Sequence, residues 1–290
     1  MKRVVAATLR GVQDHLCITP PQAGHCSEGD LMKTSSLRLA VALAVSCAGT
    51  AMAADNSSKV TVVRDYTDIV APADQAAYEA GVKSFNQCLS QHGFKYTWTA
   101  WTHETGDTYA YSYVSDPLPW AAFDAMRTAG KACDAAIRSD VNPHLKSETS
   151  AFFKTLPELS HMAKGVTINS PYIEVIYFKL KPGHEPHETF LDVAKKITAA
   201  AEKTKWPGNF AIGEVLDAGA GAPNFIVLLP AKSWAELGKD PDTPLWTMME
   251  NAYGKQDAQA MRKSLNDAIQ EQSSHVDSYS EELTYKASSK

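Results

Sequence analysis

The sequence predicts an α+β protein made of two tandem β-α-β-β-α-β repeats. Residues 172–234 hold the clearer copy, which reads strand, helix, strand, strand and the start of a second helix. The same order of elements occurs about 110 residues earlier in the chain. We therefore expect two folded units, at residues 54–165 and 166–290, after an N-terminal segment that covers residues 1–53.

The first repeat begins with Val60–Arg64, a β-branched run typical of a strand. A helix follows, since apolar side chains recur there at three- or four-residue spacing, at Tyr78, Val82, Phe85 and Leu89. Tyr96–His103 and Thr108–Val114 alternate as the two strands of a hairpin do. We expect a second helix from Trp120 onward, with an interruption at Gly130.

The second repeat follows the same plan. Tyr172–Lys181 is rich in β-branched and aromatic residues, and Pro182 ends this strand. The next stretch has helical spacing of its apolar side chains, at Phe190, Val193, Ile197 and Ala201. The apolar runs Ala211–Leu216 and Phe225–Leu229 are expected as paired strands, and Trp234 begins a further helix.

A β-α-β-β-α-β unit is the ferredoxin-like plan, whose sheet has one face under the helices and one bare face. A bare apolar face must be buried, and a second sheet covers it best. The two units, over residues 60–161 and 172–285, therefore resemble the dimeric α/β-barrel superfamily as a fused pseudo-dimer. The parts that carry the resemblance are the Tyr172–Lys181 strand, the Phe190 helix, the strand pair at 211–229, and the Trp120 and Trp234 helix starts.

This resemblance implies several functions between which the fold does not choose. Members of the superfamily include cofactor-free monooxygenases that act on polycyclic phenols, small isomerases, and haem-binding chlorite dismutases and dye-decolourising peroxidases. Our leading hypothesis is a protein that binds a small hydrophobic or aromatic ligand in a barrel pocket. The alternative is a cofactor-free monooxygenase or isomerase, and a haem protein is third. No cofactor is predicted.

The first 53 residues indicate bacterial export. Met32–Arg38 is a positively charged start, Leu39–Val45 is a short apolar run, and Ala51–Ala53 matches a signal-peptidase site. The apolar run is too short to span a bilayer, which takes about 20 residues. We expect translation to start at Met32, cleavage near Ala53 and a periplasmic or secreted location. Cys47 offers a less favoured alternative, a lipid anchor, because its lipobox lacks the usual Leu.

Charge and composition limit the partners. The chain has a net charge of -5 and no basic run of the kind that tracks phosphates. Nucleic acid is therefore not expected as a partner. A small-molecule ligand is expected, and a homo-oligomer is compatible with the resemblance.

Aromatic residues are concentrated in the first predicted hairpin, where the second repeat is aliphatic. Alternation puts Tyr96 and Trp98 on one face of the strand, and Trp101 and His103 on the other. On the next strand Tyr109, Tyr111 and Tyr113 share a face. Rings with polar tips suit a flat ligand, so we consider the six tyrosine and tryptophan rings a candidate binding pocket. The simpler interpretation is that they are packed core.

Two residues are candidate acid–base groups. His103 could act as a base that Glu104 orients, if the loop turns between them. Glu174 is in phase with Ile176 and Phe178, so it could point into an apolar interior, although a strand-end residue that reaches solvent is the favoured interpretation. His275 has no partner pattern and is expected to be a surface or packing residue.

His184 and His187 could share a metal if one turn of backbone separated them. Their spacing differs from that of the zinc-protease motif, and Pro186 makes a helical turn across both doubtful. A solvated loop with a helix N-terminus is the favoured interpretation. Cys88 and Cys133 are expected at equal depths on antiparallel helices, roughly 14 Å apart, which is too far for a disulfide unless the break at Gly130 redirects the second helix.

Overall fold

The computed structural model of the protein describes residues 60–287. The expected leader, its cleavage site at Ala53 and the alternative anchor at Cys47 lie outside this range, so they stay predictions. Within the described range no helix is long and apolar enough to cross a membrane.

Strands and helices follow the order that the periodicity predicts. The first half contains β1 Thr61–Val70, α1 Gln75–Gln91, β2 Trp98–His103, β3 Ala110–Ser115, the short β4 Leu118–Pro119, α2 Trp120–Gly130 and β5 Leu145–Thr155. The second half contains β6 Tyr172–Leu180, α3 His184–Thr204, β7 Ala211–Val215, β8 Phe225–Ala231, α4 Trp234–Gly238, α5 Leu245–Tyr253, α6 Lys255–Ala268 and β9 Ile269–Tyr285.

Eight of the nine strands in the described part of the chain close into one antiparallel barrel. Their order is β3-β2-β9-β6-β8-β7-β5-β1, and β1 pairs with β3 to close the ring. The first half contributes the run β5-β1-β3-β2, and the second half contributes β9-β6-β8-β7. The halves meet where β2 pairs with β9 and β5 pairs with β7. The fold is therefore α+β with helices around a closed barrel.

The helices cover the outer face of the barrel. In the second half Phe178 and Phe225 pack against Phe190 and Val193 of α3, and the rings of Phe190 and Phe225 stack with centroids 4.2 Å apart. Each such buried side chain contributes about 1.5–3 kcal/mol. The inner face has its own apolar cluster, which includes Trp101, Ile173, Val175 and Tyr279. One end of the barrel interior is thus packed with side chains.

The cysteine prediction was wrong, because Cys88 and Cys133 form a disulfide with their Cα atoms 5.9 Å apart. The estimate assumed one continuous second helix, but α2 ends at Gly130 and the chain continues through short helical turns to His144. Those turns lie directly against α1. A Cβ at Gly81 would lie only 1.9 Å from the carbonyl oxygen of Asp140, so only glycine permits this approach.

The disulfide closes a loop with a sequence separation of 45 residues. In the chain-entropy model, replacing both cysteines by serine should lower the free energy of unfolding by about 2–4 kcal/mol. Urea unfolding with and without reductant measures this loss. Reductant should destabilise the wild type and leave the double variant unchanged. Alkylation of both cysteines in the denatured, unreduced mature protein would contradict the bridge.

Candidate functional site

The six rings of the predicted pocket lie on two sides of the sheet. Trp101 points inward and packs edge-on against Tyr279. Tyr111 and Tyr113 face outward beneath α1, and Trp98 lies on that same outer side. The two remaining rings are Tyr96, which packs against Phe94, and Tyr109, which is exposed. The rings therefore do not surround one cavity, and most of them are packing residues.

A polar network beneath α1 explains the outward-facing tyrosines. The Tyr78 hydroxyl donates to Oδ2 of Asp68 at 2.6 Å and lies 2.9 Å from the Tyr113 hydroxyl. The Tyr111 hydroxyl donates to Glu79 at 2.9 Å. Burial, chiefly, raises the pKa of Asp68 to about 7. These contacts fasten α1 to the sheet, so the network is structural.

Four polar side chains gather in the barrel interior; we call His103, His275, Asp277 and Asp65 the lumen cluster. His103 and Asp277 are direct partners across β2 and β9, and His275 lies two residues before Asp277 on the same face. The two imidazole rings stack with centroids 4.2 Å apart. Nε2 of His275 lies 3.1 Å from Oδ1 of Asp277, and Nε2 of His103 lies 3.7 Å from the same oxygen.

The lumen cluster is enclosed, and this sets its protonation. Burial lowers the pKa of His103, although the nearby Asp277 carboxylate opposes that shift. Burial also raises the pKa of Asp65 to about 7, with a further upward effect from Asp277. The Thr67 hydroxyl donates to one oxygen of Asp65, while the other oxygen is buried without a hydrogen bond. Near neutral pH His103 is therefore a neutral imidazole, and the Asp65 carboxyl exchanges a proton.

A partly open pocket of about 230 Å³ lies at the barrel mouth. Its lining comprises Tyr177, Lys179, Gly221, Pro223, Glu271 and Ser273. The Tyr177 ring lies 5.5 Å from the His275 ring, so this tyrosine stands between the pocket and the lumen cluster. Burial, followed by the charges of Asp65 and Asp277, raises the pKa of Tyr177 above its ordinary value.

The predicted acid–base residues lie on different sides of the sheet. Glu174 lies on the outer, helix-covered face with Ile176 and Phe178, opposite Leu229 on β8. His103 faces the lumen, and its Nε2 lies 3.0 Å from the Ser112 hydroxyl. Glu104 accepts a hydrogen bond from Ser278 and does not orient His103. Asp277 takes the place that we expected for Glu104.

His275 is not a surface residue, because its side chain is largely buried in the lumen, where its ring stacks on His103 and lies beside Asp277. Sequence analysis also missed Asp65, Tyr177 and Asp277. The signal that could have found His275 and Asp277 is their two-residue spacing, which puts both on one face of a strand. That signal is readable only once residues 269–285 are known to form β9.

His184 and His187 lie in the first turn of α3, so the expected helix N-terminus is confirmed, whereas the loop and the doubt about a helical turn across Pro186 were wrong. Pro186 is tolerated there because the first-turn N–H groups have no partner within the helix. Nε2 of His187 lies 3.0 Å from Glu214, whereas the His184 side chain is 85% exposed. Among the described residues, sets of three converging donor atoms occur at the disulfide beside His92 and at His103, His275 and Asp277, and not here.

No protein-family model matches the sequence, and no curated protein matches it. Solved structures do match the fold. An anthrone oxidase-like protein is 10% identical over 80% of this chain and 94% of its own, with a TM-score of 0.51. A candidate monooxygenase from Lactobacillus acidophilus NCFM is 8% identical over 79% and 97%, with a TM-score of 0.48. A mutant chlorite dismutase from Candidatus Nitrospira defluvii is 11% identical over 77% and 94%, with a TM-score of 0.47.

The anthrone oxidase-like protein is a dimeric α/β-barrel protein. This chain has the dimeric α/β-barrel fold. Here one chain supplies all eight strands of the barrel. At about 10% identity the likeness to the anthrone oxidase-like protein extends to the fold alone.

The Asp68 network predicts a pH-dependent stability. The folded pKa of about 7 exceeds the ordinary 3.8, so the unfolded chain loses the proton first. Stability should therefore fall as the pH rises from about 4 to about 7 and level off above. The charge of Glu148 on β5 also raises the pKa of Asp68. The raised pKa of Asp65 lowers stability over the same pH range.

Asp68→Asn removes the charge and keeps an acceptor for Tyr78. At pH 7.5 it should gain roughly 1–4 kcal/mol of unfolding free energy relative to the wild type, and little at pH 4. Urea unfolding at both pH values measures the difference. Asp124→Asn, on the exposed side of α2, is the matched control. An unchanged pH slope in Asp68→Asn would contradict the assignment.

Proposed function

We propose that this protein binds a small aromatic ligand in the pocket at the barrel mouth. The observation that carries the proposal is the Tyr177 ring, which forms a wall of the pocket and contacts the lumen cluster behind it. An aromatic wall with a few placed polar groups is the usual composition of a small-molecule site.

The polar groups of the pocket specify the ligand further. Lys179 and Glu271 are direct partners across β6 and β9, and Ser273 adds a hydroxyl. A flat ring with a donor and an acceptor on its edge, such as a phenol or an aromatic acid, matches this set. The pocket volume of about 230 Å³ is below the roughly 300–1,000 Å³ of drug-sized sites, so a ligand of one or two rings fits best.

Haem does not fit this pocket. Its lining contains no histidine within the described residues, so it offers no imidazole as an axial ligand. His103 and His275 are engaged with Asp277 on the far side of Tyr177. We derive no haem chemistry for this site.

A second candidate function is a cofactor-free oxygenase or isomerase. The observation in its favour is the buried His103, whose Nε2 lies 3.0 Å from the Ser112 hydroxyl and 3.7 Å from the Asp277 carboxylate, so that these two side chains fix the ring through one nitrogen. The His275 and Tyr177 rings connect it to the pocket. The fold of the anthrone oxidase-like protein adds support by analogy only.

We also propose that the two halves arose by tandem duplication and that the mature protein is periplasmic or secreted. The matching strand orders, β5-β1-β3-β2 and β9-β6-β8-β7, support the duplication. The export signal at residues 32–53 supports the location. A disulfide is also typical of an oxidising compartment.

A thermal-shift screen of small phenols and aromatic acids tests ligand binding. Ser273→Trp fills the pocket from an exposed position, and Tyr177→Ala removes its aromatic wall. Both should weaken the best hit at least about tenfold, measured by calorimetry. Tyr111→Phe, on the outer face, is the matched control and should bind like the wild type. Unchanged affinity in both pocket variants would reject the proposal.

The same hits test the second candidate function. Incubation with oxygen and excess EDTA should convert the ligand if no metal is needed. His103→Gln should then lower kcat by at least about 100-fold with little change in the ligand Kd. Absence of turnover for every bound hit would leave the protein a binder.

A further inference from the structure

We propose that His103, His275 and Asp277 form a binding site for a divalent transition-metal ion in the barrel interior. This inference deepens the proposed function, because the ion would lie behind the ligand pocket. It competes with the second candidate, since one imidazole lone pair cannot hold both a metal ion and the proton of a substrate.

The donor atoms have nearly the separations that an ion requires. Two ligand atoms at about 2.1 Å from a tetrahedral ion lie roughly 3.4 Å apart. Oδ1 of Asp277 lies 3.1 Å from Nε2 of His275 and 3.7 Å from Nε2 of His103. All three donor atoms lie within 4.8 Å of one another. The three donor atoms are therefore near enough to share one ion after the imidazole rings rotate.

The three side chains are enclosed and incompletely satisfied. Their exposed fractions are 8% for His103, 13% for His275 and 5% for Asp277. Oδ1 of Asp277 is buried without a hydrogen bond, whereas Nε2 of His275 is hydrogen-bonded to the other oxygen, Oδ2, at 3.2 Å. A buried oxygen left in this way is costly, and a cation is the partner that satisfies it. Oδ1 of Asp65 is equally buried and without a hydrogen bond, and the charges of Asp277 and His275 act on this carboxyl, but Asp65 lies outside the set of three converging donor atoms.

The donor set selects the class of ion. Two imidazoles with one or two carboxylates suit Zn²⁺ and its first-row neighbours, whereas Mg²⁺ and Ca²⁺ prefer oxygen ligands. Lone pairs lie in the ring planes, so the two stacked rings must turn toward each other to share one ion. The Nε2 of His103 then leaves the Ser112 hydroxyl, to which it now lies 3.0 Å.

The test uses untagged, disulfide-intact protein that has been treated with EDTA and desalted. Calorimetric titration with ZnCl₂ should give one ion per chain, and CoCl₂ should give the visible absorption of nitrogen- and oxygen-bound Co²⁺. MgCl₂ should not bind. His275→Gln and Asp277→Asn should each weaken Zn²⁺ binding by more than about tenfold. His187→Gln, a solvent-accessible histidine with a carboxylate partner, is the matched control and should retain wild-type affinity.

The proposal is overturned if the wild type binds Zn²⁺ no tighter than about 100 µM, an affinity that exposed histidines can reach. It is also overturned if His187→Gln loses as much affinity as His275→Gln. Circular dichroism shows whether each variant is folded. Asp277→Glu keeps the carboxylate charge, so it should retain Co²⁺ absorption with an altered spectrum. Tyr177→Ala should bind Zn²⁺ normally. The ligand screen and the calorimetry of its hits are to be run in EDTA, so that a failure of the metal site leaves the ligand result valid. A failure of ligand binding likewise leaves the Zn²⁺ titration valid.

Discussion

Closure of the barrel is the constraint on which the rest of the structure depends. The pairing of β1 with β3 leaves the eight-stranded ring without an open edge, and every strand in it has two neighbours. Closure also removes most of the inner face from water. Apolar residues such as Trp101 and Val175 gain from this, whereas Asp65 and Asp277 must be enclosed with few partners. Closure of the barrel thus accounts both for the packed end of the interior and for the enclosure of the polar lumen cluster.

The outer face is covered differently in the two halves. In the second half α3, α5 and α6 pack against one another and against the sheet. In the first half α2 has one buried residue, Met126, and contacts the sheet mainly through rings against Phe152. The turns that follow α2 supply the missing cover, and the Cys88–Cys133 bridge and Gly81 hold them on α1. The disulfide therefore compensates for a helix that is weakly packed.

The sequence predicted most of the fold because strands and helices with one apolar face leave a periodic pattern. β6 and α3 are clear cases, and the need to cover a bare sheet face predicted the barrel. β9 was missed because its inner face contains Glu271, Ser273, His275 and Asp277, so no apolar alternation marks it. Without β9 the lumen cluster could not be assembled. The prediction that the six rings form one pocket was wrong for a related reason. Alternation shows which side chains share a face of a strand, but it does not show which face lines the lumen.

The polar end of the interior is also where function is most reasonably sought. Buried carboxylates and imidazoles commonly lower stability relative to apolar side chains of similar size. In a closed barrel this cost is large, because water cannot supply the missing hydrogen bonds. The low dielectric that makes the cluster costly also strengthens its interaction with a bound cation or with a proton from a ligand. The pocket opens beside Tyr177 at this polar end, so a bound ligand lies against the groups whose burial is least favourable.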